Sequence, residues 1–416
     1  MNRRRCEDLV EDGRDLVLAE FDPPADSVLA VQAPSQLVSK RSKIVRTFST
    51  RAPLPPTSPE SFIAGDGGVA AAAPSTCPPP PPLADEAQEE WHPLPLSASD
   101  LSLPLTLPTG QTFLWRRTSL YPLRFTGAVG PHLLSLSHLP DGRLAFLLHH
   151  DDPTTSSSVA AARAALCDYL NAAVPLANLW RQFTAADARF AEVAARLGGG
   201  GARVLRQDPV ECLFQFLCSS NNNIARIEKL VWTLAAYGER LGEVGDFVFH
   251  RFPTIKRLAE VSEQDLRKAG FGAKYIVGTA KELIAKPGGG AKWLALLRGR
   301  ELPEVIEGLC TLPGVGPKVA ACIALFSLDK NQAIPVDIHV WKVATQYLLP
   351  ELAGKSLTPK LSIVVADAFV AKFGKYAGWA QTVLFIAQLP AQKLLAAEVT
   401  SEATKTTKRK CGGKDC

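Results

Sequence analysis

With 416 residues, 46% of them apolar, the chain has room for roughly two or three domains with substantial cores. It holds no run of about 18 apolar residues, which excludes a helical membrane span. The formal net charge is +5, but residues 405–416 contribute +4 (Lys405, Lys408, Arg409, Lys410 and Lys414 against Asp415), leaving about +1 for residues 1–404. Overall charge is therefore no argument for nucleic-acid binding; local geometry must supply one. The 9 cysteines are odd in number and sit mostly in apolar runs, which fits buried thiols in a reducing compartment rather than a disulfide framework. Cys411 and Cys416 are too few for a structural zinc or an iron–sulfur cluster, so no side-chain metal site and no cofactor are expected.

Residues 1–90 are rich in Pro, Ala and Ser, with Pro78 to Pro82 unbroken, and read as a disordered leader with no core of its own. The first residues lack an apolar signal segment. Arg3 to Arg5 are offset by Glu7, Asp8, Glu11, Asp12 and Asp15, so an organelle address has little support. The cluster Lys40, Arg41, Lys43 and Arg46 reads first as a solvated charge run and second as a localisation or nucleic-acid patch.

From Trp91 the texture changes. The runs LSLPLTLPTGQTFLWRR, LRFTGAV, HLLSLSHL and GRLAFLLHH alternate apolar and polar residues, with turn signals at Thr109-Gly110, Gly127 and Asp141-Gly142. They predict a small antiparallel sheet over about 98–150, then helices up to a flexible break at Gly198–Gly201, making a domain of 91–200. Asp208-Pro209 restarts the chain with a cap and a first-turn proline. Further helices are expected to about Gln392, broken at Pro253, at 270–272, at Gly288–Gly290 and at Leu349-Pro350. The fold class is α+β: a sheet domain, a mostly helical body over 201–395 and a basic disordered tail over 396–416.

The stretch that carries chemistry is Thr311–Trp341, TLPGVGPKVAACIALFSLDKNQAIPVDIHVW. Gly314-Val315-Gly316 forms a hairpin between two apolar helical runs, and Pro317 suits the first position of the second. Free N–H groups at such a helix start favour an anion such as DNA phosphate. Lys318 follows in the first turn, where the helix dipole and burial are both expected to push its pKa down toward a nucleophilic amine. Asp337, in Pro335-Val336-Asp337, is an ordinary N-cap on its own, yet an out-and-back helix could return its carboxylate to Lys318. A hairpin alone would equally serve a module that only grips phosphate. The Lys–Asp pair favours an enzyme acting on a sugar.

This motif resembles the hallmark of the helix–hairpin–helix DNA glycosylase superfamily. PTGQTFLWR (108–116), RQDPVECLFQFLCSSNNNIARI (206–227) and YAGWAQTVLF (376–385) are similar to the eukaryotic 8-oxoguanine DNA glycosylase family, over about residues 91–392. The resemblance implies that Lys318 attacks C1′ and forms a Schiff base that permits β-elimination, while Asp337 stabilises the oxocarbenium-like state. It gives the Gly110 carbonyl the N7–H of 8-oxoguanine, Cys322 and Phe385 the two stacking walls, and Gln381 the Watson–Crick edge. Asn221 would fill the space of the extruded base, Arg226 would read the opposite cytosine and His339 would meet phosphate. On residue type alone, Cys322 and Phe385 are ordinary core and Asn221–Asn223 an ordinary turn.

Two departures stand out. The family usually carries Tyr-Arg after the Gly-x-Gly that here is Gly270-Phe271-Gly272, but this chain runs straight to Ala273-Lys274-Tyr275. The wedge beside the opposite base and one cytosine reader are thus without their usual residues. Gln388 stands where the family usually has Asp, beside the phosphate-contacting His339. The resulting expectation is a monomeric enzyme on double-stranded DNA containing oxidised guanine, with no membrane partner, and nuclear from the tail KTTKRK at 405–410. A glycosylase for another damaged base, and a non-catalytic DNA-binding module, are the competing readings.

Overall fold

The computed structural model describes residues 89–149, 159–220, 222–270 and 272–389. Residues 1–88 of the leader, Asn221 and the basic tail lie outside them. Five strands, β1 (Trp91–Ser97), β2 (Arg116–Leu120), β3 (Leu123–Val129), β4 (His132–His138) and β5 (Arg143–His149), form one antiparallel sheet in the order β1-β5-β4-β3-β2. The expected sheet is present, but it starts before residue 98 and leaves out 101–115. Pro104 cannot donate to a strand ladder and suits a helix start, so Leu103–Thr106 forms a short helix, α1, and an irregular segment follows.

Gly127 is not a turn either. It pairs with Leu134 in mid-strand, and a Cβ there would stand 2.6 Å from Cδ2 of Trp115. The missing side chain lets the indole lie flat on the sheet. Trp115 Nε1 then donates to the Tyr169 hydroxyl at 2.9 Å, on α2 (Val159–Tyr169), which covers the sheet. Leu134, Leu136, Phe146 and Leu166 fill the space between them.

Helices α3 (Leu176–Ala186) and α4 (Ala188–Arg196) lead into Arg203, which is 1% exposed. Its guanidinium donates to the carbonyls of Asp100, Asn171 and Val174, binding sheet and helices together. Burial pulls its pKa down to about 10, so it stays charged at neutral pH.

The body continues as α5 (Pro209–Leu217), capped by Asp208, and α6 (Ile224–Ala235), capped by Asn223. A two-stranded hairpin follows, β6 (Arg240–Val244) and β7 (Phe247–His250), where only helices were expected. Trp232 explains it: its ring meets those of Phe247 and Phe249 at 6.2 and 5.4 Å, a docking site on α6 for the strand's aromatic residues. Then come α7 (Ile255–Glu260), α8 (Glu263–Lys268), α9 (Ala273–Ala285), α10 (Gly290–Leu296), α11 (Leu302–Cys310), α12 (Pro317–Ser327), α13 (Ile338–Tyr347), α14 (Pro359–Phe373) and α15 (Ala377–Ile386). Their apolar faces share one core, at whose centre α12 is buried over nearly its whole length. Among the described residues no helix is long and apolar enough to cross a membrane.

Candidate active site

Helices α11 and α12 flank the Gly-rich hairpin. Gly314 has φ +80°, and a Cβ on it would stand 2.8 Å from the ring of Tyr275, so two independent constraints require glycine. Thr279 on α9 donates to the Pro313 carbonyl at 2.7 Å, and Val315 N closes the turn onto the Leu312 carbonyl at 3.1 Å. Val315 is buried, while a Cβ on Gly316 would meet nothing within 4 Å. Helix α12 starts at Pro317 with no side chain capping it, and Gly316 and Pro317 are exposed at its positive end.

The chain returns to that helix end by a loop that close contacts fix. Trp379 Nε1 donates to Asn331 Oδ1 at 2.8 Å, and Gly378 N to the Asn331 carbonyl at 2.9 Å. A Cβ on Gly378 would stand 2.6 Å from the Ala333 oxygen, so only glycine permits this approach. The loop delivers Asp337, whose Oδ1 accepts from the amides of His339 and Val340 and caps α13. Its Oδ2 faces Lys318 Nζ at 3.9 Å, with the two side chains 28% and 36% exposed.

The electrostatics reverse one expectation. Lys318 sits above its ordinary pKa, not below it: the interaction with neighbouring Cys322 raises it most, burial opposes, and Asp337 adds to the rise. Burial pushes the Cys322 thiol up in turn. Burial, one ground of the expectation, does lower the Lys318 pKa, but Cys322, one turn along α12, and Asp337 together outweigh that. In the free protein Lys318 is an ammonium.

Lys318 and Asp337 line a cavity together with Gly110, Cys322, Gln381 and Phe385. Four separate stretches of sequence thus converge on one place. Gly110 has φ +85°, and Ile224, at the start of α6, lies against it. Cys322 and Gln381 are 3% and 5% exposed.

Residues 93–213 match the family model for the 8-oxoguanine DNA glycosylase N-terminal domain, and residues 214–362 that for the HhH-GPD superfamily of base excision DNA repair proteins. The chain is 58% identical over 309 residues to the N-glycosylase/DNA lyase OGG1 of Arabidopsis thaliana, covering 74% of this chain and 82% of the relative. It belongs to the 8-oxoguanine DNA glycosylase family. An N-glycosylase/DNA lyase of Saccharomyces cerevisiae is 35% identical over 218 residues, 46% of this chain and 58% of that one. Among solved structures, the Clostridium acetobutylicum 8-oxoguanine glycosylase/lyase, in complex with double-stranded DNA containing cytosine opposite 8-oxoG, superposes with a TM-score of 0.56 at 26% identity. It covers 69% of this chain and 91% of that one.

His339 and Arg226, the other described site candidates of this glycosylase, are not part of the cavity lining. His339 is exposed, and its ring meets Phe385 edge-on at 6.0 Å and 79°. Arg226 is exposed in the first turn of α6, and its Nη2 lies 3.9 Å from where a Cβ on Gly270 would be, at the shortened turn between α8 and α9. Gln388 lines a different cavity, with Arg189 and Tyr347. Among the described residues no group of three or more His, Cys, Asp or Glu side chains is placed to hold a metal ion.

Sequence reasoning missed Phe216 and Phe326, which stack at 5.6 Å with 11° between their planes and line the cavity. The Lys318 ammonium lies 5.9 Å from the Phe216 ring. The signal was faint, since nearly every residue of α5 is buried and its periodicity does not mark the pocket side. Also missed were two buried polar residues one turn apart on that apolar helix, Glu211 and Gln215.

Proposed function

We infer that the chain removes 8-oxoguanine from double-stranded DNA, opposite cytosine, as a glycosylase with AP-lyase activity. The observation that carries this reading is the placement of Lys318 and Asp337, 3.9 Å apart, at a cavity lined by Gly110, Cys322, Gln381 and Phe385. The relatives named N-glycosylase/DNA lyase and the Clostridium 8-oxoguanine enzyme support the substrate and the coupled chemistry.

The target base must leave the stack before its glycosidic carbon can be reached. Phosphate binds at the uncapped start of α12 through Gly314, Val315 and Gly316, while His339 adds a contact and Asn221 and Arg226 address the vacated strand and the opposite base. Once Lys318 has lost its proton, its lone pair forms a bond to C1′ as the C1′–N9 bond breaks. The electron pair leaves with the base, which takes up a proton. Asp337, close by and negative, stabilises the positive charge that develops on the sugar. Ring opening gives an iminium. Loss of a C2′ proton then expels the 3′ phosphate, and water frees the lysine.

Selectivity comes from the pocket. Cys322 and Phe385 sandwich the base, Gln381 bonds its Watson–Crick edge and the Gly110 carbonyl accepts the N7–H that guanine lacks. Guanine in the same place would leave that carbonyl unpaired, at a cost of about 1–3 kcal/mol. Nuclear residence and action as a monomer complete the reading; the tail that suggests import lies outside the described residues. Single-turnover excision from duplexes carrying 8-oxoguanine, guanine or an alkylated purine opposite cytosine tests it: the first is released and the others are not.

A further inference from the structure

Behind the Gly110 loop lies a chain of buried side-chain amides that the chemistry above does not use. Gln111, Gln207 and Gln215 are 1%, 0% and 0% exposed, and Glu211 is 9% exposed. The amide of Phe113 donates to Gln215 Oε1 at 2.8 Å. That bond decides which way the Gln215 amide faces, because only its oxygen can accept. Both hydrogens on Nε2 then need acceptors, and they have them: Glu211 Oε1 at 3.0 Å and Gln207 Oε1 at 3.2 Å.

The orientation passes on. With its oxygen used as acceptor, Gln207 donates from Nε2 to the buried Gln111 carbonyl at 2.6 Å. On the other side of Gly110, Thr109 Oγ1 donates to the Thr106 carbonyl at 2.9 Å. The Gln111 side chain donates to that same carbonyl and to that of Arg203, and accepts from Leu205 N. The peptide that presents the Gly110 carbonyl is thus held on both sides. The same segment is tied to the lysine helix, because Gln207 N donates to the Phe326 carbonyl on α12 at 2.8 Å.

Glu211 is the end of this chain, the acceptor that makes every later orientation self-consistent. It occupies the first turn of α5, one helical turn before Gln215, so the pair is set by the helix itself. Remove it, and one Gln215 hydrogen is buried without a partner. The amide can then relieve that cost only by turning, which breaks the bonds to Phe113 and Gln207.

We propose that Glu211 is a positioning residue for base recognition: acting through Gln215 and Gln207, it fixes the Gly110 carbonyl at the place where the damaged base is read. This rests on the reading of Gly110 as the base-sensing carbonyl. Glutamine at 211 also offers an acceptor oxygen at the same reach, and alanine does not. Burial together with the charge of Asp208 pushes the Glu211 carboxyl up to about 8, so glutamine resembles its form at neutral pH.

The test compares wild type, E211Q and E211A on two duplexes under single turnover. One holds 8-oxoguanine opposite cytosine, and the other a preformed abasic site, which needs Lys318 but no base recognition. The expected result is that E211A loses about tenfold in 8-oxoguanine excision, the size of one lost buried hydrogen bond. Its cleavage at the abasic site stays unchanged, and E211Q matches wild type on both duplexes. If E211A does not fold, E211D, which keeps the carboxyl but withdraws it from Gln215, is judged by the same split. Equal activity of wild type and the truncated variant overturns the proposal, as does a parallel loss on both duplexes. A wild type that cleaves the abasic site yet leaves 8-oxoguanine in place would instead defeat the substrate reading.

Discussion

Asp337 divides its two oxygens between two tasks. Oδ1 caps α13 by accepting from His339 N and Val340 N at 2.9 and 3.0 Å, and Oδ2 faces Lys318 Nζ at 3.9 Å. One residue thus places a helix and supplies a charge, and substitutions can separate the two. Asp337→Asn keeps an oxygen for the cap and loses the charge. Excision by it should fall about 10²–10³-fold with little change in Tm. Asp337→Ala should lose as much activity and, in addition, about 1 kcal/mol of stability. Equal melting of the two variants would show that the cap contributes nothing.

The pH dependence follows from Lys318. Cys322 and Asp337 hold its pKa above the ordinary lysine range, so across neutral pH the nucleophilic amine is a minority form that grows with pH. In the free enzyme, log(kcat/KM) should therefore rise with a slope of about one from about pH 6 to about pH 9. A plateau already at neutral pH would mean that the ammonium is not favoured as the fold implies.

Gly314 is held to glycine by its φ of +80° and by the ring of Tyr275, 2.8 Å from where a Cβ would lie. Gly314→Ala should weaken duplex binding and lower stability by about 1–3 kcal/mol. Adding Tyr275→Ala should recover the part due to the clash and leave the part due to φ. Full recovery in the double variant would show that backbone strain is negligible there.

Glu211 gives a stability prediction with a definite sign. Its folded carboxyl keeps a proton up to about pH 8, whereas the unfolded chain releases it in the ordinary glutamate range. Between those limits the folded state binds the extra proton, so stability falls as pH rises through the window and levels off above about 8. Denaturant midpoints of wild type should decline across that range relative to E211Q, which has nothing to titrate there. Parallel curves for the two proteins would contradict this.

Much of this site was legible in the chain because it is written in local chemistry. The hairpin glycines, Pro317 at a helix start, and the caps Asp208 and Asp337 each follow from backbone geometry over a few residues. The convergence of Gly110, Cys322, Gln381 and Phe385 was expected only from resemblance, since nothing local brings 110 near 381. Where sequence reading failed, a tertiary partner decided. Gly127 looked like a turn until Trp115 lay across it, and the strand Phe247–His250 owes its place to Trp232. The Lys318 pKa was misjudged in sign because burial was weighed without setting Cys322, one turn along the helix, and the returning Asp337 against it. Likewise, the amide chain through Gln111, Gln207 and Gln215 joins segments about a hundred positions apart.

The most direct test of the account is borohydride trapping on a duplex with one 8-oxoguanine:cytosine pair, comparing the wild-type chain with Lys318→Gln. Wild type should give a covalent adduct and a cleaved strand, and the variant neither, with the fold of both verified by thermal melting. An adduct that persists in Lys318→Gln would place the nucleophile elsewhere and contradict the central claim.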